Sequence, residues 1–109
     1  IRPPYGVQGA SMAPVLRGDK GAGKEYAMTE FNCYDWGLSV KTLTGRDYKI
    51  TYYAGESYGE LFDRAADPGE IKNLWDDETY RDVKASMLKK LMDRIIETED
   101  PLPLRIGKY

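Results

Sequence analysis

The chain has 109 residues, of which 41% are hydrophobic and 31% charged, and this length and composition predict one folded domain and exclude an intrinsically disordered chain. Its 16 basic and 18 acidic residues give a net charge of -2, which excludes the strongly basic surface of a protein that binds nucleic acid. No apolar run approaches the ~20 residues of a membrane-spanning helix, so we expect no membrane span.

Residues 1–23 are rich in glycine and proline and predict an irregular lead-in. Within this lead-in, Ser11 is expected to begin about one helical turn. The alternation of residue types from Glu25 to Phe31, with aromatic and β-branched members, predicts a first strand. We therefore expect the folded domain to comprise residues 24–109.

Two further alternating runs, 38–43 and 48–53, are joined by a short connection that contains Gly45, which predicts a β-hairpin. Because successive side chains of 48–53 point to opposite faces, we expect one face on a core and the other in water. A last short run predicts a final or edge strand: Glu60, Leu61, Phe62 and Asp63. The sequence thus predicts a small antiparallel sheet of about four strands.

A turn is predicted at Asp67 and Pro68. Asp67 is expected to cap a short helix that begins at Pro68, and Glu70 is expected to reach back to Asp67 and complete a capping box. Asn73 is expected to adopt the left-handed conformation that ends this turn, so that Leu74 packs on the core.

Apolar residues at spacings of three and four predict one long amphipathic helix over 78–98. Met92 and Ile96 are expected to widen its apolar stripe. The acidic residues at 76–78 are expected to favour its start, and the spacing of Asp77 and Arg81 predicts an ion pair. The stripe consists of Tyr80, Val83, Met87, Leu88, Leu91 and Ile95. A helix of this kind packed on the predicted sheet gives an α+β fold.

The chain contains no histidine, which removes the commonest general base and metal ligand and every Ser-His or Cys-His arrangement. The single cysteine, Cys33, can form no internal disulfide bond, and we expect it to be a half-buried apolar residue. The acidic residues at 76–78 lack the spaced ligands of a calcium loop. The sequence therefore predicts no catalytic, cofactor-binding or metal-binding residue in this chain.

Two sets of residues are the remaining candidates for ligand binding. The nine tyrosines, with Trp36 and Trp75, are candidates for a carbohydrate-stacking surface, although we expect most of them to pack the sheet against the helix. Scattered basic residues are candidates for an anion site, although such residues are usually only solvated: Lys20, Lys24, Arg46, Lys49, Arg105 and Lys108. The segment 21–24 is not a phosphate loop, because no strand precedes it and no Ser or Thr follows its lysine.

Five short pieces of the sequence share their order and spacing with one family. These pieces are Val40-Lys41-Thr42, Asp47-Tyr48-Lys49-Ile50, Glu60-Leu61-Phe62-Asp63, Asp67-Pro68-Gly69-Glu70 and Asn73-Leu74. Together they resemble the C-terminal region of the sulfatase family. The lead-in, with Val7 to Ser11 and Pro14 to Gly18, is similar to the segment by which such enzymes leave their catalytic α/β domain.

The resemblance implies a non-catalytic C-terminal subdomain with about four antiparallel strands and one long packed helix. It implies that the parent protein hydrolyses sulfate esters with calcium and a formylglycine, which is made from the first residue of a C/S-x-P-x-R motif in the preceding domain. A motif that began at Cys33 would meet Asp35 and Gly37 in place of Pro and Arg, so Cys33 is not expected to be this nucleophile.

The partner implied by the resemblance is the parent's own N-terminal catalytic domain, with a sulfated substrate at the edge of the cleft. The sequence itself leaves the compartment open, and the compartments considered for the parent are periplasmic, secreted and lysosomal. Two alternatives remain open: a free-standing module that binds sulfated carbohydrate through the tyrosines and scattered cations, and the C-terminal part of a related phosphodiesterase or phosphonate hydrolase.

Overall fold

Four strands and one long helix are the main elements of the computed structural model, which describes residues 10–19 and 21–99. In chain order the elements are α1 (Ala13–Leu16), β1 (Ala27–Cys33), a 3-10 turn (Tyr34–Trp36), β2 (Leu38–Thr44), β3 (Tyr48–Tyr53), β4 (Gly59–Asp63), a second 3-10 turn (Glu78–Tyr80) and α2 (Arg81–Thr98). No helix among these described residues is long and apolar enough to cross a membrane. The predicted α+β class is confirmed.

The four strands form one antiparallel sheet in the order β1-β2-β3-β4. The bounds of β3 are those predicted, and β1 runs two residues further along the chain than the alternation indicated. At the lead-in, α1 follows Ser11, whose hydroxyl accepts the backbone N–H of Ala13 at 3.2 Å. All four strands lie within two residues of the bounds that the sequence predicted.

The core lies between one face of the sheet and α2. Leu43, Ile50 and Leu61 are fully buried and lie opposite one another across β2, β3 and β4, since Leu43 pairs with Ile50 and Ile50 with Leu61. The helix contributes Met87 and Leu91 to the same cluster, in agreement with the predicted stripe. Burying this row of large apolar side chains is the main contribution to the stability of the fold.

Two helix residues and two strand residues differ from the prediction. Met92 and Ile96 do not widen the buried stripe, because their side chains are 57% and 61% exposed on the outer side of α2. In β3 the two faces do not divide into one buried and one solvated face as predicted, because Thr51 is buried on the face opposite Ile50, where its hydroxyl accepts a 3.1 Å hydrogen bond from Thr42 on the neighbouring strand. Tyr52, on the core face, is exposed; it lies opposite Gly59, which has no side chain to cover it.

Candidate functional site

The segment that follows β4, residues 64–75, is here called the return segment because it comes back along the sheet edge to the core. Its first turn is made by Asp63, whose carboxylate accepts the backbone N–H groups of Ala65 and Ala66 at 3.1 and 2.9 Å. The backbone carbonyl of Asp63 also accepts the N–H of Asp67 at 2.7 Å. An aspartate carboxylate that accepts the backbone N–H groups of the next few residues is typical of tight turns. The chain therefore reverses at the end of β4.

Asp67 organises the second turn, but it does not cap a helix. Its Oδ2 accepts the backbone N–H groups of Ile71 and Lys72 at 2.7 and 2.8 Å. The predicted capping box is wrong, because no helix begins at Pro68 and the Glu70 side chain turns toward the sheet. Glu70 has a φ of +52°, so Glu70, and not Asn73, has the left-handed conformation in this turn.

The carboxylate of Glu70 joins the return segment to β3 and, through Arg64, to the β2–β3 hairpin turn. It accepts a hydrogen bond from Lys49 Nζ on β3 and lies 3.3 Å from Arg64 Nε. Arg64 in turn donates from Nη1 to the backbone carbonyl of Gly45 at 2.7 Å, in the β2–β3 hairpin. All three charged side chains are only about one third exposed or less, so they form a partly buried network that fixes the turn on the sheet.

Asn73 covers the outer edge of β4. Its Oδ1 accepts the backbone N–H groups of Leu61 and Trp75, both at 3.0 Å, and its Nδ2 donates to the carbonyl of Gly59 at 2.9 Å. The N–H of Leu74 donates to the carbonyl of Leu61 at 2.8 Å. Because an edge strand presents unpaired backbone groups, these bonds satisfy β4 in place of a fifth strand.

Asp77 caps the second 3-10 turn and so starts the helical region. Its Oδ1 accepts from the backbone N–H of Thr79 at 3.0 Å and from the Thr79 hydroxyl at 2.6 Å. These hydrogen bonds hold the pKa of Asp77 below its ordinary value, and the bond from the Thr79 side chain has the largest effect. Asp77 Oδ2 forms an ion pair with Lys72 Nζ at 3.7 Å, whereas the spacing had predicted Arg81 as the partner.

The basic candidates for an anion site divide into paired, surface and undescribed residues. Lys49 is already paired with Glu70, and Arg46 is almost fully exposed in the hairpin turn, 4.0 Å from Asp47. Lys24 is exposed. Lys20, Arg105 and Lys108 lie outside the described residues, as do the first part of the lead-in and the chain after residue 99.

A groove of about 530 Å³ lies between the β2–β3 hairpin turn and α2. Lys90, which the sequence analysis did not single out, donates to the Tyr26 hydroxyl and lies 4.7 Å above the Tyr26 ring. That hydrogen bond raises the pKa of Lys90. Because Glu25, Asp47 and Asp82 line the groove together with Arg46 and Lys90, its charges are mixed and do not favour an anion.

The described aromatic residues differ in burial. Tyr26, Tyr48, Tyr80 and Trp75 belong to the core or pack against it. Three of the seven described tyrosines therefore pack on the core, fewer than the majority expected from the sequence. Among the described residues, the exposed aromatic side chains are Phe31, Tyr34, Trp36, Tyr52 and Tyr58. Since β1 ends where β2 begins, and β3 ends where β4 begins, all five lie toward the same end of the sheet.

A shallow recess of about 370 Å³ lies at that end, around the tip of the β1–β2 hairpin. Polar groups line one part of it: Ser39 Oγ donates to Asn32 Oδ1 at 2.7 Å, and the ammonium of Lys41 lies 2.9 Å from Glu30. Cys33, Tyr34, Gly37 and Leu38 line the remainder. Cys33 is half-buried there, as predicted.

Residues 1–97 match the model of the family described as N-sulphoglucosamine sulphohydrolase, C-terminal. A Delta 4,5-hexuronate-2-O-sulfatase of Bacteroides thetaiotaomicron is 34% identical over 103 residues, which are 92% of this chain and 21% of that protein. The Escherichia coli sulfatase YidJ is 35% identical over 81 residues, 68% of this chain and 16% of that protein.

A solved structure of a candidate sulfatase from Bacteroides thetaiotaomicron is also similar to this chain, with a TM-score of 0.81 and 34% sequence identity. The similarity covers 92% of this chain and 22% of that structure. The chain therefore spans about a fifth of the length of the relatives that it matches.

Proposed function

The chain belongs to the sulfatase C-terminal domain family, and from this membership we propose that it is the non-catalytic, fold-completing part of an enzyme that hydrolyses sulfate esters of sugars. The observation that carries the proposal is the match of 92% of the chain, at 34% identity, to a hexuronate sulfatase. The similarity of the whole described fold to a sulfatase structure supports it.

The partner in this proposal is the parent's own N-terminal catalytic domain. Because the chain spans only about a fifth of its relatives, most of each relative lies outside the matched region. The sheet and helix form a small unit whose aromatic residues at one end remain exposed. Large exposed apolar surfaces typically mark contacts with another domain, a partner or a ligand.

The formylglycine and the calcium of the proposed enzyme belong to that catalytic domain. The surroundings of Cys33 do not fit a formylglycine site, because Asp35 and Gly37 replace the Pro and Arg of the motif. Among residues 10–19 and 21–99, the structure contains no group of three or more His, Cys, Asp or Glu side chains that could hold a metal ion. No step of the reaction is therefore assigned to this chain.

The proposal is tested on the full-length parent by measuring the release of inorganic sulfate from a sulfated disaccharide and from an aryl sulfate. Replacing the Cys or Ser of the upstream C/S-x-P-x-R motif with Ala should abolish release, whereas Cys33→Ser should leave kcat unchanged. A parent without such a motif, or loss of kcat in Cys33→Ser with its unfolding temperature unchanged, would overturn the proposal.

The same assay separates the two alternatives. Hydrolysis of an aryl phosphodiester or phosphonate in preference to the aryl sulfate would assign the parent to the related phosphodiesterases or phosphonate hydrolases. Binding of sulfated carbohydrate by a protein that releases no sulfate and has no upstream catalytic domain would assign it as a free-standing binding module. The similarity to sulfatases in both the sequence and structure comparisons favours sulfate release.

A further inference from the structure

The groove between the β2–β3 hairpin turn and α2 continues toward the C-terminal end of the helix. A second hollow of about 240 Å³ lies beside Arg94 and Glu97, and it shares Glu25 and Tyr26 with the groove as lining residues. One row of helix side chains lines both: Asp82, Ser86, Lys90, Arg94 and Glu97. Because residues three and four apart are neighbours on a helix surface, the groove and the hollow form one furrow along α2.

The furrow is apolar where it passes the hairpin turn. Tyr48, Val83 and Met87 line that part, and all three belong to the core cluster or pack against it. An apolar side chain that enters the furrow there would extend the core, and its removal from water would stabilise the contact.

The charges of the groove give it a net negative character. Glu25, Asp47 and Asp82 contribute three carboxylates, whereas Arg46 and Lys90 contribute two cations. Lys90 already donates to the Tyr26 hydroxyl, and Arg46 is 95% exposed. The groove therefore favours an occupant that combines apolar and basic side chains.

The chain leaves α2 at Glu99, beside the end of the furrow that Glu97 lines. Glu99 has a φ of -59° and a ψ of 136°, which are values of extended backbone and not of a helix. Pro101 follows closely, and a proline stops a helix and favours extended backbone in the residue before it. Residues 100–109, here called the tail, thus begin where the furrow begins; they lie outside the described residues.

The tail has the composition and the length to occupy the furrow. Apolar and basic residues are interleaved in it: Leu102, Leu104, Arg105, Ile106 and Lys108. From Glu99 to Lys108 an extended proline-rich chain spans ~28 Å, and α2 spans ~22 Å from Glu97 to Asp82. A tail that runs back along the helix therefore brings its last basic residue to the acidic end of the groove.

We propose that the tail folds back along α2 and packs in the furrow, with Leu104 and Ile106 on its apolar part and Lys108 beside Asp82. The tail would then join α2 to the start of β1 and to the β2–β3 hairpin. The match to the family model ends at residue 97, before the tail. The inference goes beyond the proposed function, since it concerns the packing of this chain whatever ester the parent hydrolyses.

Disulfide trapping tests the position of the tail in the full-length parent with Cys33→Ser as the background. Ser86→Cys combined with Ile106→Cys should form a disulfide on mild oxidation, identified by mass spectrometry of the linked peptides. Met92→Cys combined with Ile106→Cys is the matched control, because Met92 is exposed, does not line the furrow and is nearer to the tail along the chain. The trapped fraction should be at least about tenfold higher for the Ser86 pair, which corresponds to a preference of about 1.4 kcal/mol.

A charge exchange tests the direction of the tail. Lys108→Glu places a second negative charge beside Asp82 and should lower the trapped fraction of the Ser86 pair about threefold, the size expected for an exposed ion pair. Adding Asp82→Lys restores opposite charges and should restore trapping. Neither change should alter the trapped fraction of the Met92 pair.

Equal trapping of the Ser86 and Met92 pairs, or no trapping of either, would overturn the inference. A cross-linked dimer on a non-reducing gel would also overturn it, because the furrow would then hold the tail of a second copy. Trapping that is indifferent to the charge exchange would contradict the placement of Lys108 beside Asp82. None of these results depends on sulfate release, so this inference and the proposed function fail independently.

Discussion

The indole ring of Trp75 lies against the backbone of Gly59, so closely that a Cβ atom at residue 59 would come within 2.5 Å of ring carbon Cζ3. Both residues are buried, and Lys84 restrains the indole by donating to the Trp75 carbonyl and lying 4.9 Å above the ring. This close approach joins the start of β4 to the end of the return segment. It depends on the absence of a side chain at residue 59.

Gly59→Ala should therefore destabilise the chain by about 1 to 3 kcal/mol, because the added methyl group overpacks a buried site. Thermal unfolding followed by circular dichroism measures the change. Gly69→Ala is the matched control: its Cβ would meet the nearest atom, Ile71 Cγ1, at 3.4 Å, an ordinary contact. Equal unfolding temperatures for Gly59→Ala and Gly69→Ala would contradict the packing described.

Asn73→Ala should cost about 1 to 3 kcal/mol, because it leaves the N–H groups of Leu61 and Trp75 and the carbonyl of Gly59 without their partner. Amide hydrogen exchange gives a local readout: the N–H of Leu61 should exchange faster in Asn73→Ala than in the unsubstituted chain. Asn32→Ala removes one exposed hydrogen bond, to Ser39, and should change stability by less than about 0.5 kcal/mol. An unaltered exchange rate at Leu61 would show that Asn73 does not protect the edge.

Two substitutions of Glu70 separate its ion pairs from its backbone strain. Glu70→Ala and Glu70→Gly both remove the carboxylate that Lys49 and Arg64 contact. Glycine adopts a φ of +52° without penalty, so Glu70→Gly should be more stable than Glu70→Ala by about 1 kcal/mol. Urea denaturation measures the difference. A more stable Glu70→Ala would mean that residue 70 is not held in the left-handed region.

Leu91 and Met92 are adjacent in α2, but Leu91 is buried and Met92 is exposed. Leu91→Ala should cost about 2 to 5 kcal/mol because it opens a cavity in the core cluster. Met92→Ala, at a position 57% exposed, should cost less than about 1 kcal/mol in the isolated chain. Similar unfolding temperatures for the two variants would contradict the packing of the helix on the sheet.

The strands and the helix were predictable because their signals are local. Alternation over 48–53 and the spacing of Met87 and Leu91 depend only on residues near in sequence, and the structure has both elements where expected. The position of Met92 was not predictable in the same way. The width of the buried stripe depends on how far the sheet extends beneath the helix, which periodicity does not contain.

The roles of Glu70 and Asn73 were not predictable because their partners are distant in sequence. Glu70 follows Asp67 at the spacing of a capping box, but its carboxylate bonds to Lys49, 21 residues earlier. Asn73 bonds to Leu61 and Gly59 across the sheet edge. Local sequence shows that both residues belong to a turn, whereas only the folded arrangement shows which backbone and charged groups remain to be satisfied.

The carboxylate of Asp77 gives the chain a pH-dependent component of stability. Hydrogen bonds from Thr79 lower its pKa below the ordinary value of 3.8, so the folded state binds this proton less tightly than the unfolded state. The resulting stabilisation is present above pH 3.8 and is lost as the pH falls through the lower pKa of the folded state.

Asp77→Asn retains an oxygen for the cap but cannot ionise. The difference in unfolding temperature between the original chain and Asp77→Asn should therefore be constant near neutral pH and shrink below pH 3.8. Asp76→Asn removes an exposed charge but leaves the bonds between Asp77 and Thr79, so its acid-induced change should follow that of the original chain. A difference for Asp77→Asn that persists unchanged well below pH 3.8 would show that the charge of Asp77 does not contribute through this cap.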